Sequence, residues 1–192
     1  MASIAIVSFS GYGHTAKQAA AVQEGAASVA GSHVTMLTVT PDGTVPDEAW
    51  EILAGANAII FGSPTYMGGP AWQFKKFADA SSKVWVAQGW RDKIAGGFTN
   101  SASNNGDKFS TISYFMTLAM QQSMVWVGAG MPPANKKASG RHDLNWLGGF
   151  GGALAQSPAD ASSDEAPGPG DLETARVFGA RIAEHAARHA SW

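Results

Sequence analysis

The sequence contains no cysteine. That excludes structural disulfides, thiolate catalysis and cysteine-held iron–sulfur clusters. Charge of one sign is also scarce: 13 basic and 15 acidic residues leave a net charge of −2 and a pI near 6.2. Nucleic-acid binding needs a basic patch or stripe, and none is evident. The mild acidity falls short of what would draw basic redox partners from a distance. No apolar run approaches the roughly 18 residues of a membrane span. The opening Met-Ala-Ser-Ile-Ala-Ile carries no positive segment of the secretory kind, so the expected location is cytoplasmic. What the chain does have is 192 residues, 45% of them hydrophobic, and 23 glycines. Its length suits one domain over 1–192, with apolar residues enough for a sizeable core.

Short apolar runs at 4–9, 34–39, 58–61, 93–99 and 124–127 read as buried strands. Segments 14–29, 47–53, 72–80, 109–121 and 171–189 read as helices, the last charged and amphipathic. Strict alternation of the two predicts an α/β fold: a doubly wound five-stranded parallel sheet with helices on both faces. No internal repeat is present. The stretch 128–170 breaks the pattern, being rich in Gly, Pro, Ala and Ser. Loops this long are usually lids, binding loops or disordered linkers. Disorder is expected at 159–170, and close backbone approach to a ligand or a neighbouring subunit at Gly148-Gly149-Phe150-Gly151-Gly152.

In open α/β sheets, ligands bind beyond the carboxyl ends of the strands. Three strand-ending loops have the composition for it. The first is Ser10-Gly11-Tyr12-Gly13-His14-Thr15. Two glycines permit a tight turn, Ser10 and Thr15 offer hydroxyls, and a helix N-terminus offers free N–H groups. Together they form an anion site without Lys or Arg, fit for a phosphate monoester. The same residues would also serve as an ordinary helix cap. A Walker loop is excluded because no Lys precedes Lys17. A dinucleotide fingerprint is disfavoured by two glycines in place of three, and by a second strand, Val34-Thr35-Met36-Leu37-Thr38-Val39, without a carboxylate. A mononucleotide is the remaining choice. The second loop, Pro64-Thr65-Tyr66-Met67-Gly68-Gly69-Pro70, could lay its backbone along a flat ring. The third, Asn100-Ser101-Ala102-Ser103-Asn104-Asn105-Gly106-Asp107, is dense in small polar groups that suit a pyrimidine-like edge and a ribityl chain. Asp107 and Ser110 could instead cap the next helix.

These loops resemble those of flavodoxin-like flavoproteins. More closely, the chain resembles the tryptophan-repressor-binding-protein (WrbA-like) family of FMN-dependent NAD(P)H:quinone oxidoreductases. The resemblance rests on Ser10 to Thr15, on Gly62-Ser63-Pro64-Thr65-Tyr66 and on the order of the loops. It implies that Ser10, Gly11, Tyr12, Gly13, His14 and Thr15 hold the FMN phosphate. It implies flavin contacts for Pro64, Thr65, Tyr66, Met67 and Gly68, and for Asn100, Ser101, Ala102, Ser103, Asn104 and Asn105. It places Trp85, with Tyr12, beside the substrate, although Trp85 also reads as a core aromatic. Three departures stand out. The family's third loop is Gly/Thr-rich where this one has Ser103-Asn104-Asn105, and its Arg-Phe-Gly is here Tyr66-Met67-Gly68. A family histidine near the flavin falls in a segment that here reads Met120-Gln121-Gln122-Ser123, which leaves Gln122 as a donor that cannot titrate.

The activity implied is two-electron transfer from NAD(P)H to a quinone-like small acceptor, by a homo-oligomer (dimer or tetramer). The alternatives are a flavodoxin-type electron carrier, a flavin reductase supplying reduced FMN to a partner, and a flavin-free interaction protein. No metal site is expected. His185 and His189 are four apart on the last helix, but an Ala-rich solvated face is the better reading. Trp146, Leu147 and Phe150 make the 128–170 stretch apolar enough to suggest an interface.

Overall fold

A computed structural model describes residues 1–189 of the chain. The elements follow in the order β1 (Ala2–Ser8), α1 (His14–Ala27), β2 (Ser32–Thr38), α2 (Glu48–Gly55), β3 (Ala58–Tyr66), β4 (Gly69–Pro70), α3 (Trp72–Ala80), α4 (Ser82–Val86), β5 (Ile94–Ser101), α5 (Lys108–Gln121), β6 (Val125–Trp126), β7 (Ala153–Gln156) and α6 (Pro169–His189). The sheet runs β2-β1-β3-β5-β6. Ile4 lies opposite Val34 on one side and Ala58 on the other, and Ala58 lies opposite Ile94, all in parallel register. The central strands are apolar on both faces because both faces are covered.

The two covers differ in texture. Ala5, Val7, Ile59, Phe61 and Ala95 face an aromatic layer under α2, α3 and α5 that contains Phe74, Phe77, Trp90 and Phe115. There the Phe74 and Phe115 rings sit 4.8 Å apart. Ile4, Ile6, Ala58, Ile60, Ile94 and Phe98 face the small residues of α1 and α6. Those two helices cross in close contact at Gly25 and Gly179. A Cβ at Gly179 would lie 2.9 Å from the Val22 carbonyl carbon and 3.1 Å from the Ala26 nitrogen.

The expected sheet is present, with one revision. Its fifth position is filled by two separate segments. β6 pairs with Ile94–Ala95, and β7 continues the same position beside Phe98–Ser101. Between them, 127–152 leave the sheet and return. The return depends on Gly152, whose added Cβ would collide with the Gly97 carbonyl. The excursion is tied down at both ends. Trp126 Nε1 donates to Gly151 O at 2.9 Å, and buried Asn145 donates through Nδ2 to Met131 O at 3.1 Å and through its backbone N–H to Thr174 Oγ1 at 2.8 Å.

Residues 159–170, expected to be disordered, are instead ordered: 159–168 fold back over α1, where His14 and Lys17 bond Ala166 O and Asp164 O, and Pro169 and Gly170 open α6. Ser162 donates through its backbone N–H and its hydroxyl to Glu165 Oε2 at 2.9 and 2.8 Å, and Ala166 is buried. The Glu165 carboxylate thus closes a tight turn on Ser162, and the Glu165 N–H returns to Ser162 O at 3.2 Å. Also unforeseen were the short α4 and the β3–β4 hairpin, whose turn residues Met67 and Gly68 both take positive φ, 47° and 79°. That is the two-residue turn that matches strand twist. Among the described residues no helix is long and apolar enough to cross a membrane.

Candidate cofactor site

A cavity of about 690 Å³ opens at the carboxyl ends of β1, β3, β5 and β7, within the roughly 300–1,000 Å³ usual for small-molecule sites. Its wall contains Tyr12, His14 and Thr15 from the first loop, Pro64, Thr65 and Tyr66 from the second, and Asn100, Ser101 and Ala102 from the third. Three segments far apart in sequence thus converge as expected. No Lys or Arg is among the lining residues.

The first loop is built for an anion. Gly13 takes φ 90°, and the chain turns there into α1. Ser10 Oγ accepts from the N–H groups of Gly13 and Ala16, both at 3.1 Å, so this hydroxyl caps the helix as well as facing the loop. Among the described residues, the N–H groups of Gly11, Tyr12, His14 and Thr15 donate to nothing within the chain. Thr15 is a largely buried residue of the cavity wall, and among the described residues its hydroxyl has no partner within the chain. Unpaired donors at a helix N-terminus form a ready anion site, reinforced by the helix dipole. His14 lies in the cavity wall as well. Its Nδ1 donates to Ala166 O at 3.0 Å, which ties the ring to the chain's own backbone.

In the second loop, Tyr66 meets Tyr12 edge to face at 6.2 Å. Burial, helped by Tyr12, pushes the Tyr66 phenol above its usual range. The Thr65 hydroxyl points into the protein, bonded to Thr99 Oγ1 at 2.8 Å and Thr111 Oγ1 at 2.7 Å. Met67 and Gly68 form the exposed hairpin tip and lie outside the cavity lining.

The third loop is held from behind. Asn100 Nδ2 donates to Ser157 Oγ at 2.9 Å, and Gln156 Nε2 to Ala102 O at 2.6 Å. Lys108 is fully buried, and its Nζ donates to Ser103 O at 2.5 Å and Asn104 O at 3.0 Å. Burial lowers the Lys108 pKa to about 8; Asp171 counters this and Arg141 adds to it. Behind Lys108, Arg141 grips Asp171 with two bonds of 2.8 and 2.6 Å, and Asp171 also accepts from the Gln156 backbone N–H at 2.8 Å. Ser103, Asn104 and Asn105 are exposed and outside the cavity lining. Asp107, at φ 50°, makes no side-chain cap.

Two expected residues lie elsewhere. Gln122 is buried at the end of α5, where its Nε2 donates to Ser81 Oγ at 2.8 Å, so it serves the α3–α4 junction. Trp85 is a half-exposed residue of α4, neither a core aromatic nor part of this cavity. Both placements came from resemblance alone; in this chain Gln122 packs inward against Ser81, and Trp85 sits at the surface. Conversely, sequence reasoning missed a whole wall: Ser157, Pro158, Ala159, Ala161, Ser162 and Ser163. The Ser162-to-Glu165 spacing was the one local signal that this segment is ordered.

Comparisons agree with this architecture. The family described as "NADPH-dependent FMN reductase" matches residues 32–138. "Flavodoxin FldP" of Pseudomonas aeruginosa is 48% identical over 95% of this chain and 96% of its own length. "NAD(P)H dehydrogenase (quinone)" of Geobacter sulfurreducens is 34% identical over 97% of this chain and 98% of its own. The crystal structure of a flavodoxin, WrbA-like protein from Agrobacterium tumefaciens superposes with a TM-score of 0.77 at 43% identity, covering 98% of this chain and 99% of that one.

Proposed function

The chain belongs to the NADPH-dependent FMN reductase family, and from that footing we propose that it is an FMN-binding oxidoreductase that passes two electrons from NAD(P)H to a quinone-like acceptor. The carrying observation is the cavity's asymmetry. One end presents unpaired backbone donors and the Thr15 hydroxyl at a helix N-terminus, and the rim is aromatic. That suits a ligand with a phosphate at one end and a flat ring at the other.

In this reading Gly11, Tyr12, His14 and Thr15 donate to the phosphate. Pro64, Thr65 and Tyr66 line the ring through backbone and aromatic edges, and Asn100 to Ala102 meet the ribityl chain and the ring's polar edge. FMN, when bound, supplies hydride acceptance and two-electron release, and the protein supplies position and electrostatics. Exposed Tyr12 and half-buried Tyr66 give flat substrates an apolar wall at the rim. A cytoplasmic location, where reduced nicotinamides are made, and a homo-oligomeric state complete the proposal.

A second reading has one specific support, the relative named as a flavodoxin at 48% identity. Under it the protein would carry electrons between proteins. The two readings separate in one assay. Purified protein loaded with FMN should oxidise NADH or NADPH with a benzoquinone and give parallel double-reciprocal lines, as one site serves two substrates in turn. Turnover that appears only with a protein partner would favour the carrier. Absence of FMN fluorescence quenching at saturation would remove both. Loss of the flavin on gel filtration, with turnover intact, would point to a reductase that releases reduced FMN.

A further inference from the structure

Three successive carbonyls of the third loop are pinned by side chains. Ala102 O accepts from Gln156 Nε2, and Ser103 O and Asn104 O accept from Lys108 Nζ. In a planar trans peptide, the C=O of one residue and the N–H of the next point in opposite directions. Pinning these three carbonyls therefore turns the N–H groups of Ser103, Asn104 and Asn105 away from Lys108 and Gln156. Among the described residues none of those three N–H groups has a partner within the chain. A run of like-oriented free N–H groups attracts negative charge. Ala102, the residue before this run, lies in the cavity wall, and the run follows it in the chain at the exposed surface.

Lysine is an unusual choice for this task. A fully buried amine is costly unless its donors are satisfied. Here two of the three donors are met, both by neutral carbonyls, while the charged groups bearing on the amine are Asp171 of α6 and Arg141 of the excursion. Glutamine or asparagine could have bonded a carbonyl without a charge.

We infer that Lys108 is a positioning residue for the proposed flavin: it holds the third loop with its N–H groups outward and sets a titratable positive charge behind them. The inference rests on the FMN reading. The polar edge of a flavin carries carbonyl oxygens and gains negative charge on reduction. Each pinned peptide has its carbonyl end on the ammonium and its N–H end away from it, so it relays the charge to whatever the N–H groups meet. The protonated amine thus favours the reduced cofactor over the oxidised one. With the Lys108 pKa near 8, that preference is present below about pH 8 and fades above it. The neutral amine still has two N–H donors, so loop geometry outlasts the charge.

The test compares wild type with Lys108→Met and Lys108→Gln. Wild-type binding of FMN is measured first by fluorescence quenching; failure there sinks the functional reading itself. Given binding, Lys108→Met should bind FMN about tenfold more weakly, because the loop is released, and Lys108→Gln should stay within about threefold. The midpoint potential of wild-type-bound FMN should show a break near pH 8, with the higher potential on the acid side. Both variants should lack it. Equal affinity in wild type and Lys108→Met, or a break that survives in Lys108→Gln, overturns the inference while leaving FMN binding intact. A merely structural lysine would not move the pH profile, and wild type with Lys108→Gln decides the matter even if Lys108→Met does not fold.

Discussion

Ser10 and Thr15 look interchangeable in the sequence, two hydroxyls bracketing a glycine turn, yet the structure divides their work. Ser10 Oγ is engaged by two backbone N–H groups, whereas Thr15 lines the cavity and its hydroxyl has no partner among the described residues. Their alanine variants should therefore differ in kind. Thr15→Ala should weaken FMN by roughly tenfold or more, since a hydrogen bond to a charged group contributes about 1.5–3 kcal/mol. It should leave riboflavin, which lacks the phosphate, nearly unaffected. Ser10→Ala should cost about 1 kcal/mol of stability even without flavin, because it removes a helix cap. Fluorescence quenching with the two flavins and thermal melts of the apoprotein read these effects. If Thr15→Ala weakens both flavins equally, Thr15 does not touch the phosphate.

At the scale of helices and strands, the α1–α6 crossing offers a contest of known terms. Alanine in a helix interior is favoured over glycine by roughly 1 kcal/mol. Overpacking a tight contact costs about 1–3 kcal/mol. A Cβ at Gly179 would press on the backbone of Val22 and Ala26, which cannot swing aside like a flexible side chain. Gly179→Ala should therefore destabilise the protein in urea unfolding, while Gly55→Ala, with nothing within 4 Å of the added carbon, should be neutral or mildly stabilising. A raised midpoint for Gly179→Ala would mean that the helices have room to part. Much of this architecture was legible because it is local. Buried strands such as Ile4-Ala5-Ile6-Val7 carry apolar runs, and glycine and serine mark the turns. β7 was not legible. Ala153-Leu154-Ala155-Gln156 has no β-branched residue, and only pairing with β5 makes it a strand. The site shows the same division. The first loop and the start of the third announce themselves by composition, whereas the wall at 157–163 exists only because β7 delivers the chain there. Lys108 went unnoticed because a lysine at a helix start normally signals a solvated surface, and its burial is a tertiary fact.

Across the whole molecule, the excursion that splits the fifth strand leaves an apolar face in water. Phe109 at the start of α5 and Phe150 in the returning chain are 67% and 65% exposed. Both lie near Gly151: Phe150 adjoins it in the chain, and a Cβ there would sit 3.6 Å from the Phe109 ring. Met120 further along α5 and Val125 are also exposed. Single exposed hydrophobics are ordinary, but a contiguous patch usually marks an interface. Trp146 and Leu147, which the sequence put forward for this role, are partly covered within the chain, so Phe150 carries the argument. Removing the segment would be a poor test, because Asn145 pins it to Met131, Gly149 and Thr174 and its loss would disturb β7. Point charges are cleaner. Wild type should scatter light as a dimer or tetramer at micromolar concentration. Phe109→Glu with Phe150→Glu should lower that mass without changing FMN affinity, because neither side chain lines the cavity. If the double variant keeps both its mass and its quinone turnover, the interface lies elsewhere. If turnover falls along with the mass while FMN stays bound, a neighbouring copy completes the acceptor pocket. A monomeric wild type would leave the patch without a role in self-assembly.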